Sequence, residues 1–179
     1  MTKTRLTPAS LKALGPVNWL LCRVISRAAG TREAHLFTAL GRQRRLFRAW
    51  LRFAGRLMPG GTLSRRKSEM VILRVAHLRA CAYELDHHRR LAKRAGLREN
   101  DVERIFAGPG ATGWSDEERV LLAAVDALVE QKDLDDVLWA RLRTHYAEPE
   151  LVELCLLVGH YEMLATTITA LRVQRDFSG

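Results

Sequence analysis

Apolar residues recur along this chain at intervals of three and four, with arginines and acids in the positions between. From Arg44 to Met58, the residues Leu46, Phe47, Trp50, Leu51, Ala54 and Leu57 keep that spacing, which predicts an amphipathic helix. Arg65 to Arg79 repeats it with Met70, Ile72, Leu73, Val75, Ala76 and Leu78. The punctuation is helical too. Gly15-Pro16 opens a segment over Val17–Ala29 that Gly30 closes, and Glu33–Gly41 predicts a short helix. Pro59-Gly60-Gly61 ends the Arg44–Met58 helix. Ala82–Ala95 follows, with Gly96 at the C′ position. Asn100 or Asp101 caps a short helix to Phe106, and the glycine-rich stretch Ala107–Trp114 reads as a loop. Ser115 and Glu118 form a capping box that opens a helix to about Gln131. Asp135–Tyr146 predicts another, and Pro149 suits the first turn of a last helix, Glu150 to about Arg172. No segment alternates with period two, and no solenoid or propeller repeat is present. The fold is predicted to be all-α: an N-terminal helical extension over 1–60 and a core over 61–179, within one compact domain.

Composition supports a packed core, since 47% of the 179 residues are apolar and 27% charged. The charge is divided unevenly. Residues 1–98 hold 22 Lys/Arg against 4 Asp/Glu, whereas residues 99–179 hold 7 against 16. A nucleic-acid or anionic-lipid surface is one reading of such a basic half. Complementarity within the chain or between protomers is the other, and it is favoured because no nucleic-acid motif accompanies the charge. No membrane span is expected, because uncharged runs such as Ala13–Cys22 are far shorter than the ~20 residues a span needs. Cys22, Cys81 and Cys155 are odd in number and lack CxxC spacing. That argues against a disulfide framework or a structural zinc site, and for a reducing, cytoplasmic compartment. The first 30 residues contain arginines and few acids, like a transit peptide, but lack the apolar core of a secretory signal. They are read as part of the folded protein.

Chemistry concentrates between Ser68 and His88, where a thiol, three acids, three imidazoles and a phenol fall within 21 positions. Cys81, Glu84 and His88 share one helical face at i, i+3 and i+7. A carboxylate four residues before an imidazole can hydrogen-bond it and exchange protons with it. Such a pair beside a thiol can also generate the reactive thiolate. The bland alternatives are a solvated Glu-x-x-x-His pair and a cysteine that only fills core. His87 is expected at the surface or a subunit contact, and His77 as a partly buried, satisfied histidine. Only Glu84 and His88 share a face, so a metal would need help from elsewhere, with His160 the candidate. No metal and no cofactor are expected. Gly159 precedes His160 and Tyr161, which allows another backbone or a ligand to come close there.

The run from Glu69 to Gly96 resembles the core of the carboxymuconolactone decarboxylase and alkyl hydroperoxidase D-like superfamily. That core has a Glu, an apolar helix and Cys-x-x-Cys-x-x-x-His, then an Ala and a Gly at four-residue steps. Here Glu69 stands twelve before Cys81, His88 seven after it, and Ala92 and Gly96 follow in step. Leu97–Ile105, Ser115–Leu128 and Leu151–Leu171 resemble the flanking elements, so the likeness spans about 35–175. It implies an AhpD-like helical bundle and a homo-oligomer: trimer, hexamer or dimer. The second cysteine's position holds Glu84, so a Cys-x-x-Cys disulfide cannot form. The Tyr83-Glu84-x-x-x-His88 text resembles a further branch that keeps Tyr-Glu and the His. The resemblance makes Glu69 the proton-relay carboxylate, His88 its partner and Glu84 an added acid. It also puts Tyr83, His160 and Tyr161 near the substrate.

Three functions follow. General acid–base chemistry by Glu69, Glu84 and His88 on a small organic acid, lactone or carbonyl compound is preferred, because the resolving cysteine is absent. A Cys81-dependent hydroperoxide reductase, regenerated by external thiols, is the alternative. A non-enzymatic module binding through the arginines of Arg42–Arg66 comes third, and it would bind with steep salt dependence.

Overall fold

The computed structural model describes residues 4–7 and 9–177. Among these, ten helices and no strand occur. They are α1 (Leu11–Leu14), α2 (Pro16–Ala28), α3 (His35–Leu40), α4 (Arg44–Leu57), α5 (Arg65–Leu78), α6 (Ala82–Arg94), α7 (Glu99–Ala107), α8 (Asp116–Glu130), α9 (Asp136–Leu142) and α10 (Glu148–Leu171). The all-α expectation holds. Three details differ. The short α1 was not anticipated. Helix α7 starts at Glu99 rather than Asn100 or Asp101, because Asp101 reaches back as the N3 acid and accepts from the Arg98 amide at 2.8 Å. Helix α9 stops at Leu142, short of the expected Tyr146.

Contacts divide the chain into two compact units. One contains the residues up to Arg56 together with those from Thr166 on; the other is Leu57–Ala165. In the first, Leu14, Cys22 and Phe47 form a buried core, with Trp19, Ile25, Phe37, Trp50 and Leu51 packed against it. Asn18 donates to the carbonyls of Gly41 and Arg44, at 2.9 and 3.3 Å, which ties α2 to the start of α4. The C-terminal segment joins this unit through the Arg5 amide on the Leu171 carbonyl and through His35 Nδ1, 2.6 Å from Asp176 Oδ1.

The second unit is built around α5, which packs against α6, α7 and α8. Every residue from Ser68 to Ala76 is buried. A helix enclosed on all sides must satisfy whatever polar groups it carries. Arg74 does so by pairing with Asp126 on α8, at 2.6 and 2.8 Å, and by donating to the carbonyls of Ile105 and Phe106. That clamp also fixes the Ala107–Trp114 loop, which Trp114 Nε1 to Gly108 O, Arg119 to Pro109 O and Arg104 to Gly113 O pin further. The apolar core here is Met70, Leu73, Ala92, Leu97, Val102, Ile105, Trp114 and Leu122.

One expectation is corrected at α10. By length and composition this helix is apolar enough to cross a membrane, with mean hydropathy 1.4 over its best window. Glu153 and Glu162 interrupt its apolar run, so no long uncharged stretch marks it in the sequence. Glu153 is buried and accepts from the Thr62 amide and hydroxyl and from the Leu63 amide. Its polar anchoring identifies that stretch of α10 as a core element of the second unit.

Candidate functional site

The site residues come from three elements of the second unit. Glu69 lies in the second turn of α5. Its Oε2 is 2.7 Å from His88 Nδ1 on α6, and its Oε1 is 2.8 Å from Arg65 Nη2, one turn earlier on α5. In the tautomer with its proton on Nδ1, His88 donates to Glu69 and leaves the Nε2 lone pair free. The Arg65 guanidinium balances the Glu69 charge. Its side chain is 38% exposed while that of Glu69 is fully enclosed, so Arg65 links this pair to solvent.

Cys81 and Glu84 are set by the turn between α5 and α6. The Cys81 amide donates to Ala76 O at 2.8 Å and the Ala80 amide to His77 O at 2.9 Å, a Schellman closure. Ala80 sits at its left-handed position with φ +49°, where glycine is the usual choice. Cys81 is therefore the N-cap of α6 and is buried. Burial, and then the negative charge of Glu84, push its thiol up to about 12. Glu84 is buried as well, and the Cys81 thiol is its side-chain hydrogen-bond partner. Burial pushes its carboxyl up to about 8, so it carries a proton at neutral pH.

Helix α10 supplies the remaining wall. Tyr161 is buried and stands edge-on to the His88 ring, with centroids 5.1 Å apart. Burial, reinforced by the charges of Glu84 and Glu69, raises its hydroxyl well above the ordinary phenol. His160 contacts Tyr161 edge-on at 5.4 Å, and burial pushes its imidazole down to about 4, which keeps it neutral. Tyr83 is buried and stacks on His87 at 4.8 Å.

All seven residues proposed from the sequence (Glu69, Cys81, Tyr83, Glu84, His88, His160 and Tyr161) are thus buried in this unit; His88 meets Glu69 and Tyr161, whereas Glu84 bonds Cys81 and not the His88 four residues on. Arg65 was missed, although its i, i+4 spacing to Glu69 was a readable signal. His77 is a correction: it is exposed, and its ring stacks on Phe106 at 4.6 Å. Among the described residues, no group of three or more His, Cys, Asp or Glu is placed to hold a metal ion.

Residues 44–127 match the carboxymuconolactone decarboxylase family. Over that stretch, a little under half of its length, the chain is similar to this family. The matched segment holds Glu69, Cys81, Glu84 and His88, and ends before His160 and Tyr161. A curated relative, the uncharacterized protein YdfG of Bacillus subtilis (strain 168), is 28% identical over 100 residues, 55% of this chain and 68% of its own. The alkylhydroperoxidase AhpD core of an uncharacterized peroxidase-related protein from Ralstonia eutropha JMP134 superposes with a TM-score of 0.83. It is 14% identical, over 96% of this chain and 92% of its own. A cysteine-to-alanine variant of the debrominase Bmp8, in complex with 2,3,4-tribromopyrrole, gives a TM-score of 0.75 at 19% identity over 96% and 89%. These structural likenesses establish the AhpD-like helical fold.

Proposed function

We propose that this protein is a general acid–base enzyme acting on a small organic acid, lactone or carbonyl compound. One observation carries the reading: a buried carboxyl pushed towards its protonated form, Glu84, stands on α6 one turn before the His88 that Glu69 holds. An acid holding its proton beside a base lacking one is the arrangement that proton transfer at a carbon next to a carbonyl needs. His88 Nε2 takes the proton from the carbon, and Glu69 holds the resulting imidazolium in place. Glu84 gives its proton to the carbonyl oxygen as the enol forms, and Tyr161 donates a hydrogen bond to that oxygen. For a decarboxylation, the C–CO2 bond breaks instead, its electron pair passes into the carbonyl, Glu84 protonates the oxygen, and CO2 leaves. Return of the proton to carbon completes either cycle. The three cysteines are free thiols, which fits a reducing, cytoplasmic setting.

A thiol-based reading rests on a separate observation. Cys81 caps α6, where the amides of Tyr83 and Glu84 lower its pKa against the larger effect of burial. The peroxidase-related and debrominase likenesses add hydroperoxides and halogenated pyrroles to the substrates to be tried. Two assays separate the readings. In D2O, NMR follows solvent deuterium entering a panel of lactones and keto acids. Glu84→Gln and His88→Ala are expected to lose about 100-fold or more, while Cys81→Ser keeps its rate. In the second, tert-butyl hydroperoxide or a bromopyrrole is consumed with dithiothreitol as reductant. Turnover there that disappears in Cys81→Ser, with no exchange in the first assay, replaces the acid–base reading with the thiol one.

A further inference from the structure

The first unit holds a cavity of about 260 Å³. Its walls are residues before α1, α3 with the turns on either side of it, and the chain that follows α10. Two opposite charges line it, Glu33 and Arg42. Arg42 donates to the Thr7 hydroxyl at 3.4 Å and to the Thr7 carbonyl, both of them neutral acceptors. Its Nε–H is enclosed without an acceptor. Glu33 accepts from the Thr38 hydroxyl at 3.0 Å, through Oε1. Neither charge makes an ion pair among the described residues, although both line the same space.

A carboxylate left without a cation is out of place here. This unit has 14 Lys/Arg and only two acids, Glu33 and Asp176. Asp176 has taken His35, which also lines the cavity: His35 Nδ1 stands 2.6 Å from its carboxylate, and the His35 amide donates to it at 3.0 Å. The hydrogen bond to Asp176, with the charges of Asp176 and Glu33, raises the His35 imidazole against the effect of burial. With His35 protonated, two cations stand against two anions and the charges balance. An anionic ligand would answer Arg42 and meet Glu33 as a like charge. A cationic one would do the reverse. A molecule carrying both charges answers both.

We propose that this cavity binds a free α-amino acid with an apolar side chain. The ligand carboxylate takes the Arg42 guanidinium, and an enclosed N–H that lacks an acceptor gains one. The ligand ammonium takes the Glu33 carboxylate, whose Oε1 the Thr38 hydroxyl already orients. Leu6, Ala9, Ala39 and Val173 supply the apolar wall for its side chain. Pockets for drug-sized ligands run to roughly 300–1,000 Å³, so about 260 Å³ suits a smaller molecule. The site owes nothing to the proposed acid–base reaction, whose residues lie in the second unit.

The test is titration calorimetry of the full chain with L-leucine, L-valine and L-methionine, together with the thermal midpoint in their presence. At least one of the three is expected to bind and to raise the midpoint. Two analogues of leucine dissect the contacts without altering the protein. Leucinamide lacks the carboxylate and isocaproate lacks the ammonium, and each should bind at least about 10-fold more weakly than L-leucine. Arg42→Gln and Glu33→Gln should lose binding by a similar factor, with circular dichroism checking that each keeps its helices. Glu84→Gln should bind as wild type does, which sets this cavity apart from the acid–base site. The proposal is overturned if none of the three amino acids gives heat or a higher midpoint at about 10 mM. It is overturned equally if either analogue binds as tightly as L-leucine, or if Glu84→Gln abolishes binding while Arg42→Gln and Glu33→Gln keep it.

Discussion

Glu84 sits in an environment far from what its type prefers, and the departure has a measurable sign. Its carboxyl holds a proton up to about 8 in the folded chain, against an ordinary value of 4.5 once unfolded. Between those values the folded state binds the extra proton, so its contribution to stability is complete below 4.5 and declines until pH 8. His160, pushed down to about 4, contributes in the opposite sense below its ordinary 6.5, where the unfolded chain binds the extra proton. The interval from 6.5 to 8 therefore isolates the carboxyl from His160. Urea denaturation of wild type and Glu84→Gln across that interval should show the variant losing less stability with rising pH. Parallel curves would mean that Glu84 is ionised in the fold. Gly61 makes a second residue-scale case: a Cβ there would stand 2.1 Å from Glu153 Oε1 and 2.6 Å from Leu57 O. Gly61→Ala must push Glu153 off the Thr62 and Leu63 amides, at a cost of about 1–3 kcal/mol in the denaturation midpoint. Cys81, Glu84 and His88 were legible because their spacing is a helical one, whereas Glu69 and Tyr161, on other helices, were named through the family resemblance. The protonation state of Glu84 was not, because burial arises from residues far away in sequence.

At the scale of elements, what was readable depended on whether a turn used its usual residue. Helix α6 ends in a Schellman closure on Gly96, with the Leu97 amide on Ala92 O and the Gly96 amide on Lys93 O, and glycine announced it. Helix α5 ends in the same closure on Ala80, and nothing in the sequence marks an alanine as left-handed. Ala80→Gly should relieve that strain and raise stability by up to about 1 kcal/mol, since the left-handed penalty of ~1–2 exceeds the entropy cost of glycine. An unchanged or lower midpoint would show that the turn is not strained. The burial of α5 was half legible. Its apolar positions were identified, but Arg74 carries no mark in the sequence of a buried clamp. Arg74→Met leaves Asp126 and the Ile105 and Phe106 carbonyls without their donor, so a loss of about 2–3 kcal/mol is expected. Hydrogen exchange should rise in the 107–114 loop, which that guanidinium holds.

On the scale of the whole chain, charge was legible as a total for each half, and the structure shows where it goes unanswered. The unit formed by residues up to 56 and from 166 on has 14 Lys/Arg and only two acids, Glu33 and Asp176. Asp176 is committed to His35, and Glu33 accepts from the Thr38 hydroxyl. So many like charges held close oppose folding by self-repulsion, and screening relieves it. Salt is therefore expected to tighten this unit. The effect is read at nanomolar chain concentration by following tryptophan fluorescence through thermal unfolding. The midpoint should rise by a few degrees between about 50 mM and 500 mM sodium chloride. Arg48→Glu with Arg52→Glu should begin from a higher midpoint and gain less from added salt, because it removes part of the repulsion that salt screens. A midpoint that falls with salt in both chains would mean that attractive pairs, such as Arg74–Asp126 and Lys67–Glu117, outweigh repulsion. The arginine surface would then impose no cost on the fold.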